Sequence, residues 1–265
     1  MHGDREARIA RCERWLGFYR EAALRVLAEE PCVDPLAVEI VGWIVGAGIL
    51  QAADSALDIG AGTGAYSLAL AQHCQRVTAL DMEETSLKAI EAQATALHVQ
   101  NVDCVHAFWE DFVPDRQVAV TFSALCPAIC SEADLLKIEA MTTKRCCLLA
   151  ISKGSCDIHR GNLMKLLQCT PEGGMATESV WYYELLYLLG RQPEVKNWSR
   201  QIEYDTTLAD AHLRYMRYFE IFGISGEAAS RAVENYLAEH TTDGLVHENV
   251  HMNLSLISWQ PPQTK

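Results

Sequence analysis

The chain has 265 residues, with 22 lysines and arginines against 35 aspartates and glutamates, a formal net charge of −13 and 49% hydrophobic residues. This is the composition of a globular protein with ample material for a buried core, and it excludes intrinsic disorder. The acidic balance, with no basic run longer than Lys144-Arg145, argues against nucleic acid and anionic membrane surfaces as partners.

Taken in chain order, residues 4–29 set Ile9, Cys12, Trp15, Leu16, Tyr19, Ala23, Leu24 and Leu27 at helical spacing, and Pro31 to Pro35 ends that run before a second helix reaching Leu50. The longest apolar stretch, Ile40 to Leu50, has eleven residues, far short of the roughly 20 that a bilayer requires, so no membrane span is expected. The first residues, M-H-G-D-R-E-A-R, carry neither an apolar secretory core nor a myristoylation signal. A cytoplasmic location is expected, with the ten dispersed cysteines as reduced thiols.

Short β-rich runs follow at 55–60, 76–82, 102–108, 118–126 and 145–152, separated by helical segments near 63–74, 85–98 and 131–142. Strands alternating with helices of this length require right-handed crossovers and a sheet covered on both faces, hence an α/β, doubly wound, mostly parallel architecture. The last third changes character. An aromatic helical patch at 181–189, a strand near 196–204, helices near 207–222 and 226–239 and a strand at 250–259 predict two late strands pairing antiparallel at the sheet edge. The organisation expected is an N-terminal helical cap (1–50), a nucleoside-binding core (51–155) and a C-terminal part (156–265) that supplies cap insertions and the last two strands, all within one compact domain.

The chemistry concentrates in Ala56 to Ala65, A-L-D-I-G-A-G-T-G-A, where a strand runs through a glycine turn into a helix. Gly60, Gly62 and Ala65 satisfy a dinucleotide fingerprint, so charge must discriminate. A dinucleotide would set an anionic pyrophosphate on this helix N-terminus, beside the opposing carboxylate of Asp58. S-adenosylmethionine has no phosphate and brings an ammonium and a sulfonium, which an acid at the strand tip suits. The next strand ends in Asp81, 17 residues after Gly64, placed to accept ribose hydroxyls, with Met82 to lie on the adenine. Beyond the third strand, Trp109 and Glu110 are the choice for flanking the adenine and accepting its amino hydrogens, with Asp111 close behind.

L-D-I-G-A-G-T-G followed by A-L-D-M resembles the class I S-adenosylmethionine-dependent methyltransferase superfamily over roughly residues 36–155. The resemblance implies a seven-stranded sheet whose last two strands form a reversed hairpin. It also implies that Asp58, Gly60, Ala61, Gly62 and Gly64 surround the methionine part, that Asp81 holds the ribose and that the acids at 109–111 lie near adenine. The fourth strand departs from the family's Asn/Asp-Pro-Pro-aromatic turn, reading Ser123-Ala124-Leu125-Cys126-Pro127-Ala128, which removes the usual substrate clue. Ser123, at that strand's end, is counted with the cofactor residues.

Several residues admit two readings. Cys126 and Cys130 could take a soft metal or electrophile, or be small buried hydrophobes; no metal is expected. Trp181, Tyr182 and Tyr183 with Tyr187, and later Tyr215, Tyr218, Phe219 and Phe222, could roof an acceptor pocket or pack a helical cap onto the sheet, packing being preferred; for a pocket, Trp181, Tyr182 and Tyr183 with Cys126 are the candidates. Lys153 and His159 are the nearest candidates for a general base, His247 and His251 are uninformative, and Trp15 with Tyr19 could cover the cofactor. The expectation is methyl transfer from S-adenosylmethionine to a small molecule, leaving S-adenosylhomocysteine, by in-line displacement that alignment and water exclusion can drive without a dedicated base. A non-catalytic S-adenosylmethionine-binding protein and a nicotinamide-dependent oxidoreductase are the alternatives. The oligomeric state and the accepting atom are left open.

Overall fold

A computed structural model describes residues 2–169 and 178–262. Three helices come first: α1 (His2–Glu13), α2 (Leu16–Ala28) and α3 (Pro35–Gly46). Where periodicity suggested one helix over 4–29, the chain turns at Arg14-Trp15, with the Trp15 amide donating to the Cys12 carbonyl at 2.9 Å. Neither residue of that turn is glycine or proline, and the nearest glycine, Gly17, lies in the first turn of α2. α3 starts as its sequence dictates, with Asp34 accepting from the Ala37 amide and Pro35 in the first turn.

The core alternates β1 (Ser55–Ile59), α4 (Ala65–Ala71), β2 (Arg76–Asp81), α5 (Glu84–Ala96), β3 (Val102–His106), β4 (Val118–Ala124), α6 (Glu132–Met141) and β5 (Thr142–Ile151). The C-terminal part follows with β6 (Cys156–Asp157), α7 (Ile158–Leu166), α8 (Ser179–Leu188), β7 (Glu194–Thr207), α9 (Leu208–Glu220), α10 (Glu227–Glu239), β8 (Thr241–Thr242) and β9 (Leu245–Trp259).

Strands β1 to β5 are parallel in the order β3-β2-β1-β4-β5, and β9 then lies antiparallel between β5 and β7. The reversed pair is therefore present. The sheet has nine strands rather than seven, because the two-residue strands β6 and β8 both join β9. β9 is also longer than its expected 250–259: residues 254–259 pair with β5, and the earlier half runs beyond the parallel sheet. Its alternation was disguised because one inward position is Glu248, fully buried beside Val246 and paired there to Arg214 and to the Tyr215 hydroxyl at 2.7 Å.

One face of the sheet packs Leu57, Leu148 and Trp259 under α6 and α8; the other packs Ala56, Phe122 and Leu149 under α3 and α4. Cys146 and Cys147 fall in these two separate clusters, as strand alternation requires. A third cluster joins α7, α9, α10 and the far end of the hairpin, and contains Tyr215, Tyr218, Phe219 and Phe222. Those aromatics pack the cap. Among the described residues no helix is long and apolar enough to cross a membrane.

Candidate active site

The parallel strands end at one edge of the sheet, where an open α/β sheet presents its ligand crevice. A cavity of about 320 Å³ lies there. The tips of β1 and β2 and the turns after β3 and β4 form its floor and walls, and Cys12, Phe18, Tyr19 and Ala22 of α1 and α2 cover it.

The glycine turn after β1 is built from backbone bonds. The amides of Gly60 and Ala61 both donate to the Leu80 carbonyl at 2.9 Å, and the Gly62 amide donates to Asp81 Oδ2 at 2.8 Å. Gly60 has φ +71, and a Cβ on it would stand 2.5 Å from the Cys126 sulfur. Gly64 caps α4 at φ +90, and a Cβ there would meet Ile90 Cγ1 at 2.7 Å. Gly60, Ala61 and Gly62 line the cavity; Gly64 instead backs onto α5 and permits close helix packing. Gly64→Ala is accordingly expected to cost about 1–3 kcal/mol through left-handed strain and the clash with Ile90. A urea midpoint equal to wild type would contradict this role.

Asp58 is buried, lines the cavity and accepts from the Ser67 hydroxyl at 2.6 Å. Burial pushes its carboxyl up to about 7, with Ser67 opposing the rise and Asp81 adding to it. Asp81 accepts the Gly62 amide on one oxygen and the Glu83 amide on the other, each at 2.8 Å; burial still raises its pKa above the usual carboxylate value. Met82 lines the cavity beside it. Glu110 also lines the cavity; its Oε1 accepts from Arg8 at 3.1 Å, while Oε2 is buried with no hydrogen-bond partner among the described residues. Asp111, by contrast, is paired to Arg5 at 2.5 Å near the surface.

Trp109 is 4% exposed and donates its indole N–H to Asp134 Oδ1 at 2.8 Å, and the Lys137 ammonium lies 4.3 Å from its ring centroid. Asp134 also accepts from Arg8, from the Cys130 and Ser131 amides and from the Ser131 hydroxyl. Burial alone would raise its pKa, but these donors hold it below the usual carboxylate range. Neither Asp134 nor Arg8 was singled out in the sequence. The signal for Asp134 was the capping pattern Ser131-Glu-Ala-Asp134, which the structure forms reciprocally at the start of α6. Arg8, on an amphipathic helix, gave none.

Four ion pairs fasten the covering helices: Arg5 to Asp111, Arg8 to Glu110 and to Asp134, and Arg20 to the buried Glu83 at 3.1 Å. Trp15 stacks on Tyr19 with ring centroids 5.7 Å apart; Tyr19 lines the cavity and Trp15 does not.

Other candidate residues lie elsewhere. Ser123 does not line the cavity; its hydroxyl donates to the Ile59 carbonyl at 2.8 Å and ties the β4 tip to β1. The assignment of Trp181, Tyr182 and Tyr183 to an acceptor pocket is corrected. Tyr182 is buried with its hydroxyl on the Ile129 carbonyl at 2.6 Å, Trp181 packs against the same core, and Tyr183 faces outward. Cys126 does line the cavity. His159 is held in the cap between the Tyr236 hydroxyl at 3.1 Å and the His247 carbonyl at 3.0 Å. His247 pairs with Asp205 on the surface, and neither His251 nor Lys153 reaches the cavity.

Comparison with known proteins agrees with this geometry. Residues 56–143 match the model of a methyltransferase domain family. The fold is similar to that of the YcgJ protein from Bacillus subtilis, at 13% identity over 87% of this chain and 100% of that one with a TM-score of 0.57. It is also similar to a putative methyltransferase from Bacillus halodurans (13% identity, 84% and 98% covered, TM-score 0.53) and to coclaurine N-methyltransferase (14% identity, 86% and 72% covered, TM-score 0.50). No curated protein sequence matches the chain. The segment from β1 to the start of β5 is thus a methyltransferase domain. Its parallel sheet, reversed last strands and glycine turn give the chain the fold of these similar structures.

Proposed function

We propose that the protein transfers the methyl group of S-adenosylmethionine to a small-molecule acceptor beneath α1 and α2, releasing S-adenosylhomocysteine. One observation carries this reading: three acids, Asp58, Asp81 and Glu110, from the ends of β1 and β2 and the turn after β3, face one cavity beside a glycine turn. A pyrophosphate on the glycine turn would be opposed by Asp58, whereas Asp81 suits the ribose of either kind of ligand. A ligand with cationic, ribose and adenine parts matches the three acids in turn.

Asp58 faces the ammonium and sulfonium end, which supplies the counter-charge its buried carboxyl lacks. Each oxygen of Asp81 is oriented by one backbone amide and keeps a lone pair for a ribose hydroxyl. Met82 and Trp109 flank the adenine, and the unpartnered Oε2 of Glu110 accepts its amino hydrogens. The group fits these residues because it satisfies a buried acceptor that the protein leaves open. When bound, it supplies an activated methyl group; the protein aligns the acceptor and excludes water. The modest volume under a fastened helical cover suits a small molecule rather than a polymer. A cytoplasmic enzyme is the accompanying reading.

The test of the ribose placement is Asp81→Ala, expected to weaken S-adenosylmethionine binding by roughly 2 kcal/mol through lost charged hydrogen bonds. Calorimetry showing unchanged affinity would remove Asp81 from that role.

A further inference from the structure

Resting on the methyl-transfer reading, we propose that the acceptor is an amine that enters uncharged and leaves as a cation, held between the α2 aromatics Phe18 and Tyr19 and the Leu125-Cys126 turn. That turn is unusual. Leu125 has φ 52, a left-handed conformation that a non-glycine residue keeps only where its surroundings enforce it. Its amide is fixed to the Leu149 carbonyl at 2.9 Å, and the bend sets the Cys126 sulfur directly over Gly60. Leu125, Cys126, Phe18 and Tyr19 all line the cavity, and the cofactor roles above use none of them.

The charge around this space selects the acceptor. Among the described residues no lysine, arginine or histidine lines the cavity, and of its three acids only Glu110 has an ion pair, with Arg8, so the wall offers an anionic acceptor no counter-charge. A thiolate or phenolate would be repelled from it. A neutral amine keeps positive charge in the cavity throughout. Its nitrogen lone pair forms the N–CH3 bond as the S–CH3 bond breaks, and sulfur keeps the bonding pair and becomes a neutral thioether. The charge moves from sulfur to nitrogen, and the amine proton is lost afterwards to solvent.

The same carboxylates and the faces of Phe18 and Tyr19 stabilise that cation. Tyr19 and Cys126 cannot prepare an acceptor by deprotonating it. Burial raises the Tyr19 hydroxyl, helped by Cys126 and Asp81, and pushes the Cys126 thiol up to about 12 despite the Ala128 and Ile129 amides. Both stay protonated at neutral pH, and an amine needs neither as a base.

The test uses the full chain. S-adenosylhomocysteine binding is measured first, and its failure would sink the methyl-transfer reading itself. On the loaded protein, benzyltrimethylammonium is expected to bind at least tenfold more tightly than benzoate. Tyr19→Leu should weaken the ammonium probe about fivefold while Tyr19→Phe retains it, because the ring face rather than the hydroxyl holds the cation. With S-adenosylmethionine, N-methylbenzylamine should be methylated in preference to benzyl mercaptan and phenol, at a rate that rises with pH as the amine itself deprotonates. Equal or tighter benzoate binding, preference for the thiol or phenol, or no methylation of the amine while the cofactor is bound would each overturn the proposal.

Discussion

Asp134→Ala is expected to destabilise the protein by about 3–5 kcal/mol, the cost typical of removing one partner from a buried, hydrogen-bonded charge pair. Asp134 is the point at which four parts of the fold meet. It receives Arg8 of α1 at 2.5 Å, Trp109 after β3 at 2.8 Å, the Cys130 amide at 3.0 Å, and both the amide and hydroxyl of Ser131 at the start of α6. Alanine leaves these donors in a region where Asp134 is itself only 4% exposed. Because the native pKa is depressed, the stabilisation is present above the unfolded value of about 4 and is lost as pH falls through the native one. Urea unfolding at pH 7 should show the full loss, and the difference between mutant and wild type should shrink at acid pH. A loss below 1 kcal/mol at pH 7 would mean that Arg8 and Trp109 find other partners. The same variant should weaken cofactor binding, since it frees both the Trp109 wall and the α1 cover.

The second large effect has the opposite sign for stability. Asp58 is buried and its carboxyl is pushed up to about 7 by desolvation. Between about pH 4 and 7 the native protein holds a proton that the unfolded chain has released, so stability falls as pH rises through that window. Above it, the ionised buried carboxylate costs about 4 kcal/mol relative to an unperturbed one. Asp58→Asn removes that charge while keeping an acceptor for Ser67. The unligated variant is expected to be more stable than wild type at pH 8 by a few kcal/mol, with the gap closing toward pH 4. It should also lose at least tenfold in affinity for S-adenosylmethionine, whose cation is the partner Asp58 awaits. In wild type, that affinity should rise with pH up to about 7 and then level off. A variant that is less stable at pH 8, or that binds the cofactor normally, would show that Asp58 serves the fold rather than the ligand.

The parts of this account legible in the sequence were those in which one residue type is chemically forced. A turn with left-handed backbone at Gly60 and Gly64 demands glycine, and strand ends facing a cationic nucleoside demand acids, so Asp58, Asp81 and Glu110 stood out in register. The alternation of apolar runs likewise announced the parallel sheet and the late antiparallel strands. What stayed hidden depends on contacts between distant segments. The polar start of β5, where Thr142 bonds Thr121 at 2.9 Å, and the inward Glu248 of β9 are each made acceptable by a partner that local pattern cannot supply. The aromatics at 181–183 misled because an aromatic helix reads the same whether it roofs a pocket or packs on a core; only Tyr182 on the Ile129 carbonyl decides between them.

The most direct test of the central claim is calorimetric titration of the purified protein with S-adenosylmethionine, S-adenosylhomocysteine and NAD at pH 8, where Asp58 is ionised. Micromolar binding of the first two with none of NAD is the result expected from three acids facing one glycine turn. Binding of NAD, or of none of the three, would contradict it.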